Sequence, residues 1–235
     1  KVKMKRLSYL INHKSNIKII IKYLSDSLGS LFEKKKRKEF VTNYRKFLET
    51  KNLTQDWFSH NSFDWKTILK DFKNKEFDYL EIGSFEGNSA MFILENFLHA
   101  KISCVDPWSQ FTKGHENLSI KEIEENFDNN LKDYQGRFIK FKKESNQFFL
   151  DNTKEFDLIY VDGLHHAKNV FEDCSEAWNI LKKEGVMIID DYFWIGYENP
   201  LEDPINGINK FLDNLIDEYL ILRISKYQIF LKKLN

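Results

Sequence analysis

Short apolar runs alternating with amphipathic stretches from about Phe77 onward predict an α/β fold: a doubly wound, mostly parallel seven-stranded sheet behind an N-terminal helical extension. Two further observations sharpen this. Acidic and glycine residues follow directly on the apolar runs, as they do where strands end at a ligand-binding edge. The final runs, YLILRIS and YQIFLKK, are separated only by Lys226, so 219–233 reads as a tight antiparallel hairpin closing the sheet.

Residues 1–53 are expected to form the basic helical extension and 54–235 the sheet domain. In the extension Leu7, Leu10, Ile11, Ile17, Ile20, Ile21, Leu24, Leu28 and Leu31 recur at helical spacing. Gly29 and the charged run EKKKRKE at 33–39 are expected to interrupt it before a second helical stretch from near Phe40. The apolar stripe fits a packing face or a homo-oligomer contact better than a membrane-binding face. Strands are expected at FDYLEIG (77–83), KISCVD (101–106), RFIKFKK (137–143), FDLIYVD (156–162) and GVMIID (185–190), with helices between them and one near 205–219. The acidic stretch 109–130 is expected to form a lid or substrate wall.

With 42% hydrophobic and 31% charged residues the chain has the composition of a soluble globular protein. No apolar run reaches the roughly 18 to 20 residues of a membrane span. Cys104 and Cys174 lie in separate segments without metal-ligand spacing, which suits free thiols in a reducing compartment and makes the cytoplasm the expected location. Charge is unevenly spread: residues 1–50 carry 14 Lys and Arg against 4 Asp and Glu, leaving 22 against 32 in the remainder. A solvated helical face explains the basic arm more simply than nucleic acid does, because no aromatic-basic repeat or recognition motif accompanies it. The chain opens at Lys1 rather than Met, which fits a piece of something longer.

The chemistry gathers at the strand ends. The first carries Glu81-Ile-Gly83-Ser84-Phe-Glu86-Gly87-Asn-Ser89, a glycine turn opening a helix. Asp106-Pro107-Trp108 follows the second, Glu144-Ser145 the third, Asp162-Gly163-Leu-His165-His166 the fourth and Asp190-Asp191-Tyr192 the fifth. A glycine turn with an acid about 20 residues on suits a nucleotide whose ribose hydroxyls that acid accepts. A dinucleotide would set its pyrophosphate on the turn, where the G-x-G-x-x-G spacing is missing and Glu81 and Glu86 repel it. An ammonium and a sulfonium would be welcome there, which points to S-adenosylmethionine. The adjacent carboxylates Asp190 and Asp191 repel each other unless something cationic lies between them, and oxygen ligands suit a hard divalent cation such as Mg²⁺.

LEIGSFEGNSA, the acid after the second strand, YVDGLHH and MIIDDY together resemble the class I S-adenosylmethionine-dependent methyltransferases. More narrowly they resemble the small-molecule and sugar O-methyltransferases related to macrocin O-methyltransferase and the cephalosporin-hydroxylase-like proteins. The resemblance runs from about Thr54 to Lys233 and includes TQDWFSHNSFDW before the first strand. It implies that Glu81, Gly83, Ser84, Gly87 and Ser89 surround the methionine part of the cofactor. It also implies that Asp106 holds the ribose, and that Trp108, Ser145 and Asp162 complete the cofactor site. Asp162, Asp190 and Asp191 would bind the cation, with His165 as base and Asp162 beside it in catalysis. The acceptor would be a hydroxyl of a sugar, a glycan or another small polar molecule.

Rival readings stand beside these. One of Asp190 and Asp191 could be a helix N-cap, His166 reads as structural, and Trp57, Trp65 and Trp108 could be core rather than pocket. The whole domain could hold the cofactor without turnover inside a larger glycan-building protein. A metal-dependent oxygenase is disfavoured because the ligand set is rich in carboxylates rather than two-His, one-carboxylate.

Overall fold

A computed structural model describes residues 2–109 and 118–235, apart from the side chains of 2 and 3. The chain runs α1 (Val2–Asn12), α2 (Ile17–Leu48), α3 (Ser62–Ile68), β1 (Phe77–Ile82), α4 (Asn88–Asn96), β2 (Ala100–Asp106), α5 (Ile120–Leu131), β3 (Phe138–Lys142), α6 (Ser145–Asp151), β4 (Phe156–Val161), α7 (Ala167–Asn179), β5 (Leu181–Ile189), α8 (Pro204–Asn214), β6 (Tyr219–Ile224) and β7 (Ile229–Lys233). The seven strands form one sheet in the order β3-β2-β1-β4-β5-β7-β6. Strands β1 to β5 are parallel, whereas β7 runs antiparallel to both β5 and β6. The predicted fold class therefore holds, hairpin included.

The central strands are apolar on both sides because helices cover both faces. In β4 only Asp157 escapes full burial. One core layer joins Ile82, Ile159, Met187 and Ile229 to Cys174 and Trp178 of α7 and to Ile208 and Phe211 of α8. The other joins Tyr79, Leu158, Ile188 and Phe230 to Trp65 of α3, Phe92 of α4 and Phe127 of α5. The extension belongs to both layers, through Leu10, Ile19 and Tyr23 on one side and Tyr44 and Leu48 on the other.

One expectation is corrected. The second helix runs unbroken from Ile17 to Leu48, through Gly29 and the charged run. One glycine costs a helix only about 1 kcal/mol, and Lys, Arg and Glu are good helix formers. The break falls earlier instead, where Lys14 takes a left-handed φ of 53° and the Asn16 side chain accepts the Lys18 amide as an N-cap. Of the expected lid or substrate wall, 110–117 lie outside the described residues, while from Ile120 on the segment is a packed helix with Ile123, Phe127 and Leu131 buried, and its Ile120 and Ile123 line a cavity at the strand ends.

Candidate active site

Since β2 and β4 flank β1, the chain reverses its winding direction between β1 and β4, and the crevice at that switch point is where such sheets bind ligands. A cavity of about 610 Å³ opens there. Its walls are the loops after β1, β2, β4 and β5, together with the segment before α3 and the turn between β6 and β7.

The glycine turn is held by contacts that tolerate no other residue. Gly83 has φ of 87°, and a Cβ there would stand 1.8 Å from the Asp162 carbonyl oxygen. Gly87 has φ of 79°, and its Cβ would meet Leu131 at 2.4 Å. Between them Phe85 is left-handed at φ 47°, as is Trp108 at 42° in the next loop. Asp106 holds both, accepting the Phe85 amide at 3.0 Å and the Trp108 amide at 2.8 Å, while the Trp108 indole N–H donates to the Phe85 carbonyl at 2.9 Å. Burial raises the Asp106 carboxyl in spite of these amides. Gly83, Ser84, Ser89, Asp106 and Trp108 all face the cavity. Glu81 does not: it is fully buried behind the turn, accepting from Ser89 Oγ at 2.7 Å and Tyr79 Oη at 2.8 Å. Its role is to fix Ser89 from below.

Beyond Asp106 the cavity reaches Glu144 and Ser145 after the third strand, and also Asp173 of α7, which sequence reasoning missed. Ser145 Oγ donates to Asp173 Oδ1 at 2.6 Å, and burial pushes the Asp173 carboxyl up to about 6. No motif pointed to Asp173, because only the α7–β4 packing brings it under Gly163.

The two adjacent aspartates diverge. Asp191 is left-handed at φ 60°, which turns its side chain toward the fourth-strand loop, where Oδ2 lies 2.9 Å from His165 Nε2. Asp190 points inward. It accepts from Tyr160 Oη and from Gln228 Nε2 at 2.7 Å, and Gln228 is itself fixed by the Trp65 indole at 2.9 Å. Tyr160 Oη also reaches Asp162 at 2.8 Å. Consequently the cluster with metal-ligand spacing is Asp162, His165 and Asp191, whose ligand atoms lie within 4.8 Å of one another. Asp190, the third member of the expected trio of Asp162, Asp190 and Asp191, falls outside that group among the described residues, although it lines the same cavity and shares the Tyr160 hydroxyl with Asp162. Burial, then the charges of the other two aspartates, raises Asp162 well above the ordinary carboxylate range, and burial followed by Asp191 pushes Asp190 up to about 6. Such a cluster fits a divalent cation, which would relieve the repulsion. Burial works against a charge on His165, but Asp191 outweighs it and the imidazole is raised on balance. Tyr160 and Gln228, neither foreseen, are what separate the two aspartates.

Residues 80–192 match the profile of a methyltransferase domain. The matched segment, just under half of the chain, is a methyltransferase domain, and the sheet around it has the class I S-adenosylmethionine-dependent fold. An uncharacterized protein, R132 of Acanthamoeba polyphaga mimivirus, is 24% identical over 128 residues, which are 54% of this chain and 57% of that protein. Three solved structures share the fold at low identity. The O-methyltransferase TomG from Streptomyces achromogenes, in complex with S-adenosylmethionine, has a TM-score of 0.57 and 12% identity, covering 91% of this chain and 99% of its own. MycE of the mycinamycin pathway, with Mg, S-adenosylhomocysteine and mycinamycin VI, scores 0.58 at 16% identity over 85% of this chain and 54% of its own. An rRNA methylase from Streptococcus thermophilus scores 0.54 at 10% over 78% and 100%.

The remaining wall of the methyltransferase cavity is aromatic and carries a cation. The Trp57 ring lies 4.9 Å from Phe85 and Trp194 lies 4.9 Å from His165, both pairs tilted. His60 lies 5.5 Å from the Tyr227 ring, its Nε2 buried with no hydrogen-bond partner among the described residues. Burial, and then the charge of Lys226, pushes His60 down to about 4, so the imidazole is neutral at pH 7. Nothing in the spacing of TQDWFSHNSFDW distinguishes His60 from a structural histidine. Trp57 and Trp108 do line the cavity, whereas Trp65 is core. His166 is structural, accepting the Lys168 amide as the N-cap of α7.

Proposed function

We propose that this methyltransferase transfers the methyl group of S-adenosylmethionine to a hydroxyl of a small polar molecule, in the sugar or glycan class, with help from a divalent cation. The observation that carries the reading is the convergence of Asp162, His165 and Asp191 beside the glycine turn, in a cavity whose far wall is aromatic. The cofactor supplies a methyl group on a sulfonium. Gly83, Ser84 and Ser89 hold its methionine part, Asp106 and Trp108 its ribose, and Ser145 and Asp173 border its adenine.

Asp162 and Asp191 are the carboxylates for the cation, because Mg²⁺ prefers oxygen, keeps several waters and uses one or two carboxylates. When bound it supplies the charge that lowers an aliphatic hydroxyl from a pKa of about 15 to 16 and screens the neighbouring acids. Asp190 holds Tyr160 and Gln228 in place. His165 takes the hydroxyl proton at Nδ1, while its Nε2–H donates to Asp191, which orients the ring and stabilises the imidazolium. At the acceptor end Trp57, Trp194 and Tyr227 offer flat apolar faces to a ring, and His60 Nε2 offers a hydrogen bond to a ring hydroxyl. Two buried free cysteines support a reducing compartment, the cytoplasm, as the place of action.

Calorimetry with S-adenosylhomocysteine and with NAD, each with and without Mg²⁺, is the direct test. Micromolar binding of the first and none of the second is expected. Asp191→Asn should lower methyl transfer at least a hundredfold with cofactor affinity nearly unchanged, while Asp190→Asn should lower it far less. Full turnover in excess EDTA would remove the cation from the reading.

A further inference from the structure

The helix α2 is amphipathic in an inverted sense. The face it turns to the protein carries Ile19 and Tyr23 and then polar groups: Asp26 accepts the Ile224 amide at 2.8 Å, Glu33 pairs with Arg223, and Arg37 pairs with Asp64 at 2.5 Å. The opposite face is apolar and open. Ile17, Ile21, Leu24, Leu28 and Leu31 are 65%, 61%, 44%, 64% and 59% exposed, and Phe32 beside them is 90% exposed. Roughly 100 Å² per side chain puts the patch on the order of 600 Å², at the top of what ordinary monomers leave in water and near the ~800 Å² per partner of a standard interface.

Spacing and charge name the occupant. The five residues follow one another at intervals of four, three, four and three. This is the alternation of a coiled-coil seam, in which a narrow stripe stays straight along a partner helix. A helix lying in a lipid surface needs a broader apolar face flanked by available cations. Here Lys18 and Lys22 are tied to Asp217 and Asp26, and Asp217 is 81% exposed beside the stripe, where anionic headgroups would be repelled.

We infer that this face is the interface between two copies of the chain, paired antiparallel through α2. With the two-fold axis at the level of Asp26, Leu24 packs on the partner subunit's Leu28, and Ile21 on the partner subunit's Leu31. A parallel pair would set the Lys34–Lys36 run of each copy against its counterpart. The antiparallel pair separates the two runs by about 27 Å at 1.5 Å per residue, well beyond a Debye length of ~8 Å. It also brings each run toward the acidic end of the other copy, at Asp213 and Asp217.

Light scattering coupled to size exclusion, with sedimentation equilibrium, tests this on the full chain. The expected mass is twice the 28.2 kDa of one chain at micromolar concentration. Leu28→Glu should weaken self-association at least a hundredfold with the circular dichroism spectrum and melting temperature kept, since Leu28 touches solvent and not core. Leu24→Glu should do the same, whereas Leu150→Glu, at an exposed leucine of α6, should leave the dimer intact. A wild-type monomer at up to 100 μM, or a dimer indifferent to both leucine variants, would overturn the inference. So would a monomer that sediments with phosphatidylserine vesicles and loses that binding in Leu28→Glu, which would make the stripe a lipid contact.

Discussion

At the scale of single residues, the site depends on buried acids that pair with no lysine or arginine among the described residues. Glu81 shows the cost without the complication of a ligand. Burial pushes its carboxyl up to about 7 from an ordinary 4.5, even though Ser89 and Tyr79 donate to it. Below about pH 4.5 the group is protonated in both folded and unfolded chains and costs nothing. As pH rises from there to about 7 the unfolded chain ionises while the folded one keeps its proton, so stability falls; above 7 the loss is constant, on the order of 3 kcal/mol. Glu81→Gln should therefore match the wild type in urea unfolding at pH 4 and exceed it by up to about 3 kcal/mol at pH 8. Equal differences at both pH values would mean that Glu81 titrates normally. Asp173, pushed up to about 6 by burial, makes the complementary prediction for binding. If its carboxylate accepts from the cofactor's adenine amine, affinity for S-adenosylhomocysteine should rise as pH passes through about 6. Calorimetry across pH 5 to 8 should find that limb in the wild type and lose it in Asp173→Asn.

At the scale of elements, α2, α3 and β6 are joined by a charged quartet. Asp64 receives both Arg37 and Arg223, the latter at 2.9 Å, and Glu33 pairs with the same two arginines. The Asp64 side chain is only 3% exposed, so its removal leaves two arginines facing each other in a poor solvent. Asp64→Ala should cost about 3 kcal/mol by denaturant titration, and far more than Lys66→Ala on the exposed side of the same helix. The closure of this quartet was not legible in the sequence, because only Glu33 and Arg37 are neighbours, four residues apart, while the other contacts span 27 to 190 residues. The strands were legible because each is an apolar run of nearly the right length bounded by polar turns. The strand ends were legible as well, and with them Gly83, Asp106, Asp162 and His165. The split of Asp190 from Asp191 was not, since it follows from a left-handed φ at Asp191 and from Tyr160 and Gln228 pulling the other way. Unbroken helix through Gly29 was missed for a different reason: the breaker was read locally, whereas packing along β6 decides.

At the scale of the whole molecule, the N-terminal helices and the sheet act as one body. Leu10, Ile19 and Tyr23 share the core with the central strands, Asp26 caps a free amide of the edge strand β6, and Tyr44 Oη donates to the Asn88 carbonyl at 2.8 Å beside the glycine turn. Farther along, Arg45 reaches Asp56 and Ser59, and Glu86 accepts the Thr54 amide and the Asn126 side chain, so the wall that carries Trp57 and His60 is fastened to both the extension and the turn. Removing residues 1–50 would thus uncover one side of β6, strand the Asp64 and Arg223 charges and unfasten the wall. The shortened chain is expected to aggregate, or to remain in solution without micromolar affinity for S-adenosylhomocysteine and without the cooperative thermal transition of the full chain. The full chain should gain about 2.7 kcal/mol of stability at a ligand concentration of 100 times Kd, read as a raised melting temperature. A shortened chain that stays soluble, melts cooperatively and shows the same ligand-induced rise would mean that the sheet alone builds the cofactor site and that the extension serves only self-association.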